Sequence, residues 1–205
     1  MNRLFPLPDS LSFEQAATIL GGADSAWKAL FTEGELEAGQ TVLIHAAAGG
    51  VGQFAIQLAK WKGAEVIGTA SARNLDFIKS LGADVVIDYE TSRFEEIARD
   101  VDLVVDTVGR DTEDRSWSVL KRGGRLVSLV QPPNQNQAES HGIKAMFNSK
   151  FPTPEDLVLI VELVANGTIK PAIDRIYPLS EAAQALSRSE NRHGRGRILL
   201  STLLP

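Results

Sequence analysis

The sequence contains no cysteine among its 205 residues. This absence excludes disulfide bonds, zinc sites built from thiolates and a cysteine nucleophile. It also fits a reducing compartment, so we expect a cytoplasmic location. The N-terminal stretch MNRLFPLPDS lacks the apolar run of a signal peptide. No stretch reaches the roughly 18 uninterrupted apolar residues that a membrane span requires, so no membrane association is expected.

An excess of positive charge is also missing. The formal net charge is −5, which argues against general binding to the phosphate backbone of nucleic acid. Hydrophobic residues make up 43% of the chain and charged residues 23%, a globular composition. These features together favour a small-molecule ligand over nucleic acid or a membrane.

The hydrophobic pattern alternates short β-rich runs with amphipathic segments, which predicts an α/β fold with a parallel sheet. The runs are almost continuously apolar, as expected for strands that are covered on both faces. The predicted strands are Thr41–His45, Glu65–Thr69, Val85–Asp88, Asp102–Asp106, Arg125–Val130 and, at the sheet edge, Gly142–Phe147.

Helical signals fill the gaps between these strands. After the first strand, apolar residues recur at the spacing of one helix face. Ser12 and Gln15 have capping-box spacing, and Thr153 can cap a helix that starts at Pro154. The polar stretch Pro132–Ser140 predicts a mobile loop. The predicted helices cover Asn74–Ser80, Pro154–Asn166 and a segment that starts at Ser180.

The most informative segment is the turn AAGGVG at residues 47–52, between the first strand and the following helix. It is the G-x-G-x-x-G pattern with alanine at the first position. Gly49 has no Cβ, so its backbone can approach a pyrophosphate closely, and Gly52 lets the helix pack tightly on the strand. The helix N-terminus supplies N–H groups and a positive dipole end. A plain tight turn is the alternative, but the strand–turn–helix context favours dinucleotide binding.

The end of the second strand distinguishes NADPH from NADH. NAD sites of this type usually place an acid about 20 residues after the glycine pattern, on the ribose hydroxyls. That position is Ser71, and the next acid is Asp76. Ser71, Arg73 and Asn74 can instead donate hydrogen bonds to a 2′-phosphate. We therefore predict NADPH over NADH; the alternative is that Arg73 is a solvated residue at a helix start.

An ordered set of motifs resembles the medium-chain dehydrogenase/reductase superfamily, in particular its zinc-independent quinone oxidoreductase branch. The similarity runs from about Pro6 to Leu200. It implies a Rossmann doubly wound parallel sheet of six strands in the order 3-2-1-4-5-6, with NADPH across the carboxyl ends of the strands. The matching motifs are HAAAGGVGQFAIQLAKWKGAEVIGTASARN, SLGADVVIDY, DTVG, LKRGGRLVSL and HGRGRILL.

The resemblance also implies roles for individual residues. Many relatives carry lysine where Asn74 stands. By resemblance, the pyrophosphate contacts are Ala48, Gly49, Gly50, Val51 and Gly52; the 2′-phosphate contacts are Ser71, Arg73 and Asn74; Tyr89 lies near the adenine; and Thr107, Val108, Leu129 and Val130 lie along the nicotinamide end.

Members of this superfamily normally carry an N-terminal catalytic domain of GroES-like fold. Residues 1–40 resemble the hinge helices, residues 41–170 the NADP-binding Rossmann domain, and residues 171–205 a return toward the absent catalytic domain. The sequence therefore predicts the cofactor-binding half of a two-domain reductase. No catalytic residue is identifiable, so the chain alone should show weak or no turnover.

The function predicted on this basis is NADPH-dependent, zinc-independent reduction of quinones or other activated carbonyls or alkenes by hydride transfer. One alternative is a non-catalytic NADPH-binding sensor or assembly module. A short-chain oxidoreductase is disfavoured, because neither Tyr89 nor Tyr177 is followed by lysine four positions later. The open edge of strand 142–147 predicts a homodimer.

The remaining polar candidates favour structural roles. His45 has no serine or cysteine partner pattern, so it is predicted to be structural. His141 and His193 are predicted to lie on the surface, and Asp106 is predicted to close the turn after the fourth strand. No spacing of His, Asp and Glu indicates a metal site.

Overall fold

The structure is a computed structural model that describes residues 6–191 and 194–203, so the prediction for His193 lies outside the described residues. Six parallel strands form one sheet in the order β3-β2-β1-β4-β5-β6. This confirms the predicted fold class and strand order. The strands are β1 Thr41–Ile44, β2 Glu65–Ala70, β3 Val85–Asp88, β4 Val101–Asp106, β5 Leu120–Ser128 and β6 Lys144–Phe147, and a separate pair contains β7 Ile173–Pro178 and β8 Arg197–Ser201.

Helices cover both faces of the sheet and precede it. α1, α7 and α8 have side-chain N-caps, from Ser12, Asn134 and Thr153 respectively. The α-helices are α1 Phe13–Thr18, α2 Asp24–Trp27, α3 Gly52–Lys62, α4 Leu75–Ser80, α5 Phe94–Ile97, α6 Asp111–Ser116, α7 Gln135–His141, α8 Pro154–Ala165 and α9 Ala182–Glu190.

The core has two parts because successive residues of each strand point to opposite faces of the sheet. In β1, Val42 and Ile44 belong to a buried cluster with residues of α3 and α8. Leu43, between them, belongs to the other cluster, together with Phe94 and Trp117. The central strands are thus apolar on both sides, which explains their continuous hydrophobic runs.

The N-terminal helices pack on the sheet domain. Leu11, Ile19 and Trp27 share the larger buried cluster with the sheet. Trp27 also contacts Trp61 of α3, with ring centroids 5.9 Å apart. Between α1 and α2 the backbone kinks at Gly21, whose φ of 73° suits glycine. The predicted capping box of Ser12 and Gln15 is present.

The C-terminal pair β7–β8 is parallel and is joined to α3 by two glutamine side chains. Buried Gln53 donates to the Ala172 carbonyl at 2.9 Å and accepts from the Ala172 N–H at 2.6 Å. Gln57 makes the same two-way contact with Lys170, at 3.1 and 2.8 Å. Each glutamine amide therefore acts as a substitute strand partner for residues that lead into β7.

Three local predictions differ from the structure. The stretch Pro132–Ser140 is not a loop throughout, because Asn134 accepts hydrogen bonds from the N–H groups of Asn136 and Gln137 and starts α7. The fifth strand ends at Ser128, so Leu129 and Val130 follow the strand. The edge strand β6 was predicted two residues too early but is at the predicted sheet edge.

Carboxylates satisfy backbone groups at the amino edge of the sheet, where β1 and β2 begin. Asp102 accepts from the Thr41 N–H at 2.9 Å and forms an ion pair with Lys121. Asp84 accepts from the Val66 N–H at 2.7 Å and pairs with Lys60 at 2.8 Å. Burial raises the pKa of Asp84, but the hydrogen bonds from Lys60 and Val66 outweigh it and hold the pKa below its ordinary value.

Candidate active site

A cleft of about 830 Å³ opens at the carboxyl edge of the sheet. It lies between the ends of β1, β2 and β4 and the segment that leads into β8. This is the edge at which doubly wound sheets bind ligands. The predicted site residues that line it are Ala48, Gly49, Gly50, Val51, Gly52, Ser71, Asn74, Tyr89, Thr107, Val108 and Val130.

Two predicted residues are placed differently. Arg73 is exposed at the start of α4 and does not line the cleft. Leu129 is partly buried against the larger core cluster and does not line it either. Tyr89 and Val130 are about half exposed on the cleft wall.

The glycine turn has the shape that a pyrophosphate needs. A Cβ on Gly49 would meet only the Ala46 carbonyl oxygen, at 3.2 Å. A Cβ on Gly52 would lie 2.6 Å from both the Ala46 oxygen and the Ala47 Cα, so Gly52 serves close packing of the helix on the strand. No side chain of the described residues caps the start of α3. Gln53 and Phe54 donate their N–H groups to the Gly49 and Val51 carbonyls, at 3.1 and 3.0 Å, whereas Gly50, Val51 and Gly52 donate to no backbone carbonyl of the described residues. A phosphate could accept from these three N–H groups.

Ser71 and Asn74 form the floor of the cleft beyond β2. Both are buried, and Asn74 Nδ2 donates to Ser71 Oγ at 3.4 Å. Arg195 reaches this floor from the other end of the chain, and its Nε donates to Asn74 Oδ1 at 2.9 Å. Its Nη2 donates to the Arg73 carbonyl. A cation therefore lies beside the residues predicted to contact a 2′-phosphate, although it does not itself line the cleft. The sequence analysis missed this residue.

The turn before β8 forms the opposite wall of the cleft. Asp174 accepts two hydrogen bonds from Arg188, at 2.7 and 3.1 Å, and one from the Arg195 N–H at 3.2 Å. These bonds, with that from Arg188 the largest effect, lower the pKa of Asp174. The Gly196 N–H donates to the Ala48 carbonyl at 2.8 Å, which joins this wall to the glycine turn.

Arg197 extends across the glycine turn toward the N-terminal helices. Its Nη1 donates to the Gly21 carbonyl at 3.3 Å. A Cβ on Gly50 would lie 2.7 Å from Arg197 Cδ, so a side chain at position 50 would displace Arg197 from this path. Arg197 therefore places positive charge beside the turn that is predicted to hold a pyrophosphate.

His45 is held in one hydrogen-bonded chain at the base of the cleft. Ser116 Oγ donates to the Thr112 carbonyl at 2.6 Å, so His45 Nε2 donates to Ser116 Oγ at 3.0 Å. Nδ1 then accepts from Thr69 Oγ1 at 3.2 Å. Burial, aided by the charge of Arg115, lowers the pKa of His45 to about 3. These contacts leave a neutral imidazole with both ring nitrogens hydrogen-bonded, which favours the predicted structural role.

Asp106 is fully buried and closes the turn after β4, as predicted. Its Oδ1 accepts from the N–H groups of Val108 and Gly109, both at 2.9 Å. Thr107 donates from Oγ1 to the His45 carbonyl at 2.8 Å. These bonds fix the backbone of the cleft wall formed by Thr107 and Val108.

The chain is similar to a known protein family and to solved structures. A sequence profile of the zinc-binding dehydrogenase family matches residues 81–200. The chain belongs to this family. Its superfamily is the medium-chain dehydrogenase/reductases, which confirms the resemblance seen in the motifs.

Individual relatives include quinone oxidoreductases. A probable mitochondrial zinc-binding oxidoreductase of Arthroderma benhamiae is 34% identical over 96% of this chain and 64% of its own. The quinone oxidoreductase of Coxiella burnetii superposes with a TM-score of 0.90 at 38% identity, over 96% of this chain and 63% of its own. The Escherichia coli quinone oxidoreductase complexed with NADPH gives 0.83 at 32%, over 96% and 67%.

The chain is similar to oxidoreductases of the quinone oxidoreductase type, and it spans about two thirds or less of these relatives' length. Among residues 6–191 and 194–203, no group of three or more His, Cys, Asp or Glu could hold a metal ion. No helix within the same ranges is long and apolar enough to cross a membrane.

Proposed function

We propose that this chain is the cofactor-binding part of an NADPH-dependent, zinc-independent reductase of quinones or other activated carbonyls or alkenes. The observation that supports this most directly is the bare glycine turn at the uncapped start of α3, inside a cleft at the carboxyl edge of the sheet. Anionic groups bind at such helix ends because N–H groups and the helix dipole both favour negative charge.

The residues present fit a dinucleotide. The turn at residues 48–52 would hold the pyrophosphate, with Arg197 beside it. Ser71, Arg73 and Asn74 remain the proposed 2′-phosphate contacts from β2, and this end of the cleft carries no carboxylate among its described lining residues. NADPH fits this donor set better than NADH, which leaves NADH as the weaker ligand.

When bound, the nicotinamide would supply the hydride, and the protein would supply position and electrostatics. Tyr89 would border the adenine; Thr107, Val108 and Val130 would border the nicotinamide end of the cleft. Leu129 could act there only through the packing of Val130, since its own side chain lies against the core. No described residue of the cleft is assigned as a proton donor, and we propose that a GroES-like catalytic domain completes the substrate site.

The domain division follows from this proposal. Residues 1–40 would be the hinge segment, 41–170 the Rossmann domain and 171–205 the return toward the catalytic domain. The pair β7–β8 supports this division, because a two-stranded parallel sheet is marginal by itself and needs a further layer.

The test is a calorimetric titration of the chain with NADPH and with NADH, using wild type and Gly49→Asp. NADPH should bind at least tenfold more tightly than NADH, which corresponds to about 1.4 kcal/mol. Gly49→Asp should abolish binding of both, because its carboxylate would occupy and repel the pyrophosphate position. Equal affinities would remove the NADPH preference, and undiminished binding to the variant would contradict the proposed site.

The second candidate is a non-catalytic NADPH-binding module, which the absence of an assigned proton donor favours. Hydride transfer from NADPH to a quinone by the wild-type chain, above the rate of the Gly49→Asp variant, would contradict it.

We also propose that the chain forms a homodimer through the open edge of β6. Light scattering that shows a monomer at tens of micromolar would overturn this. A cytoplasmic location stays a prediction, since a relative is named as mitochondrial.

A further inference from the structure

Arg195 is an exposed cation that contacts the floor of the cleft through Asn74, although its own side chain does not line the cleft. Its guanidinium donates to two neutral acceptors, Asn74 Oδ1 and the Arg73 carbonyl. Its Cζ atom lies over the Phe77 ring, 5.6 Å from the ring centroid. Within the described part of the chain, no carboxylate forms an ion pair with Arg195. The nearby carboxylate of Asp174 accepts the Arg195 backbone N–H and is paired with Arg188.

This contrasts with Arg73, the cation that the sequence favoured. Both side chains are exposed and neither lines the cleft, but the Arg195 guanidinium is bonded to the Asn74 side chain and to the Arg73 carbonyl. Asn74, the residue that Arg195 contacts, is buried and lines the cleft beside Ser71. The cation bonded to the cleft floor therefore comes from the C-terminal segment and not from the end of β2.

We infer that Arg195 is a specificity-determining residue that selects a nucleotide with a 2′-phosphate on the adenosine ribose. This inference rests on the proposed function. A guanidinium offers five N–H donors in a planar arrangement that matches two phosphate oxygens. The bonds to Asn74 and Arg73 and the contact with Phe77 hold this group in place before a ligand arrives, which lowers the entropy lost on binding.

If Arg195 has this role, it should affect the binding of the 2′-phosphate and not that of the pyrophosphate. A 2′-phosphate would add charge-assisted hydrogen bonds that a ribose hydroxyl does not replace. The pyrophosphate turn and Arg197 are shared by NADPH and NADH, so loss of Arg195 should weaken ligands with the 2′-phosphate and leave the others almost unchanged.

The experiment is calorimetry with adenosine 2′,5′-bisphosphate and AMP, which differ only in the 2′-phosphate, followed by NADPH and NADH. The variant is Arg195→Gln. The matched control is Arg175→Gln, an exposed arginine of β7 whose guanidinium lies over the Tyr177 ring. Arg195→Gln should weaken the bisphosphate and NADPH at least tenfold, while AMP and NADH change less than twofold. Arg175→Gln should leave all four within twofold.

Arg73→Gln compares the two candidate cations. It should weaken the binding of the bisphosphate and NADPH less than Arg195→Gln does. A larger loss from Arg73→Gln, or equal losses for AMP and the bisphosphate in Arg195→Gln, would overturn the inference. If Arg195→Gln fails to fold, Arg195→Lys carries the test: it keeps the charge without the planar donors and should lose part of the selectivity. Wild type that binds none of the four ligands would overturn the proposed function itself, whereas binding that ignores Arg195 overturns only this inference.

Discussion

The amino edge of the sheet and the glycine turn at its carboxyl edge treat backbone hydrogen-bonding groups in opposite ways. At the amino edge, Asp84 and Asp102 accept from strand N–H groups, and each carboxylate is paired with a lysine. At the carboxyl edge, the turn at residues 47–52 and the start of α3 have no side-chain cap among the described residues. The amino edge is thus self-contained, whereas the glycine turn leaves the N–H groups of Gly50, Val51 and Gly52 for a ligand.

This difference indicates which residues contribute to the stability of the fold and which contribute to ligand binding. Buried or partly buried polar groups that are already paired gain nothing from a ligand, whereas unpaired donors at a helix start do. Substitutions at the amino edge should therefore change the free energy of unfolding and leave nucleotide affinity alone. Substitutions on the cleft surface of the carboxyl edge should change nucleotide affinity and leave the free energy of unfolding almost unchanged.

The largest expected effect is at Gly52. It lies at the carboxyl edge but packs against the strand, so its substitution should change stability. In Gly52→Ala the new Cβ would lie 2.6 Å from backbone atoms of Ala46 and Ala47, which cannot move easily. We expect the free energy of unfolding to fall by about 3 kcal/mol, as for overpacking. Urea denaturation measures it; a loss below 1 kcal/mol would show that α3 can shift away from β1.

The next effect is a pH dependence that originates at His45. The unfolded imidazole binds a proton below its ordinary pKa of 6.5, whereas the folded one does so only near 3. The unfolded state therefore binds more protons in this window, and the free energy of unfolding falls as the pH drops from 6.5 toward 3. The slope should approach ~1.4 kcal/mol per pH unit.

The matched variant for this slope is His45→Gln, which has both a donor and an acceptor but does not titrate. Urea denaturation of both proteins between pH 7 and 4.5 should give a flatter dependence in the variant. The same slope in both would assign the dependence to other groups.

Asp102→Ala tests the amino edge directly. It removes the acceptor of the Thr41 N–H and the partner of Lys121. We expect a loss of about 2 kcal/mol in the free energy of unfolding, because a backbone donor is left without its partner. NADPH affinity should be unchanged by calorimetry. A drop in affinity together with stability would mean that the two edges are coupled.

Gly49→Ala tests the carboxyl edge with the same chemical change as Gly52→Ala. Its Cβ would meet only the Ala46 carbonyl oxygen, at 3.2 Å. We expect NADPH affinity to fall about tenfold, or about 1.4 kcal/mol, because the methyl keeps the pyrophosphate from the backbone. Thermal unfolding should shift little. A variant that loses stability but keeps its affinity would reverse the assignment of the two glycines.

The smallest expected effect concerns Asn134, which lies outside both edges. Asn134→Ala removes the side-chain cap of α7, and such caps contribute about 1 kcal/mol. Urea denaturation should show this loss, with nucleotide affinity unchanged. Stability equal to that of wild type would indicate that packing of Ala138 alone holds α7.

Local patterns predicted most of the fold but only one side of the site. The apolar runs of β1 to β6 and the turn at residues 47–52 are each encoded within a few residues. Asn134 shows a local signal that was read incorrectly: an asparagine after two prolines can start a helix as well as a loop. The cap, and not the general polarity of the stretch, decides the structure there.

The other side of the site comes from contacts between distant parts of the chain. Arg195 contacts Asn74, and Gln53 contacts Ala172, across more than a hundred residues. Neither pairing follows from periodicity or spacing, because the tertiary fold brings these segments together. The only sequence signal for Arg195 is the motif HGRGRILL. This motif indicates the family but does not show that Arg195 contacts Asn74.

The bond between the Gly196 N–H and the Ala48 carbonyl has a consequence for folding order. It closes a loop of about 150 residues, so the segment before β8 reaches the glycine turn late, and ordering it carries a loop-closure cost. A ligand that contacts both sides of the cleft would act as a reversible cross-link between the early and late parts of the chain. Amide exchange should therefore slow most at the start of β8 when NADPH is added, at the point where the polypeptide completes its own fold.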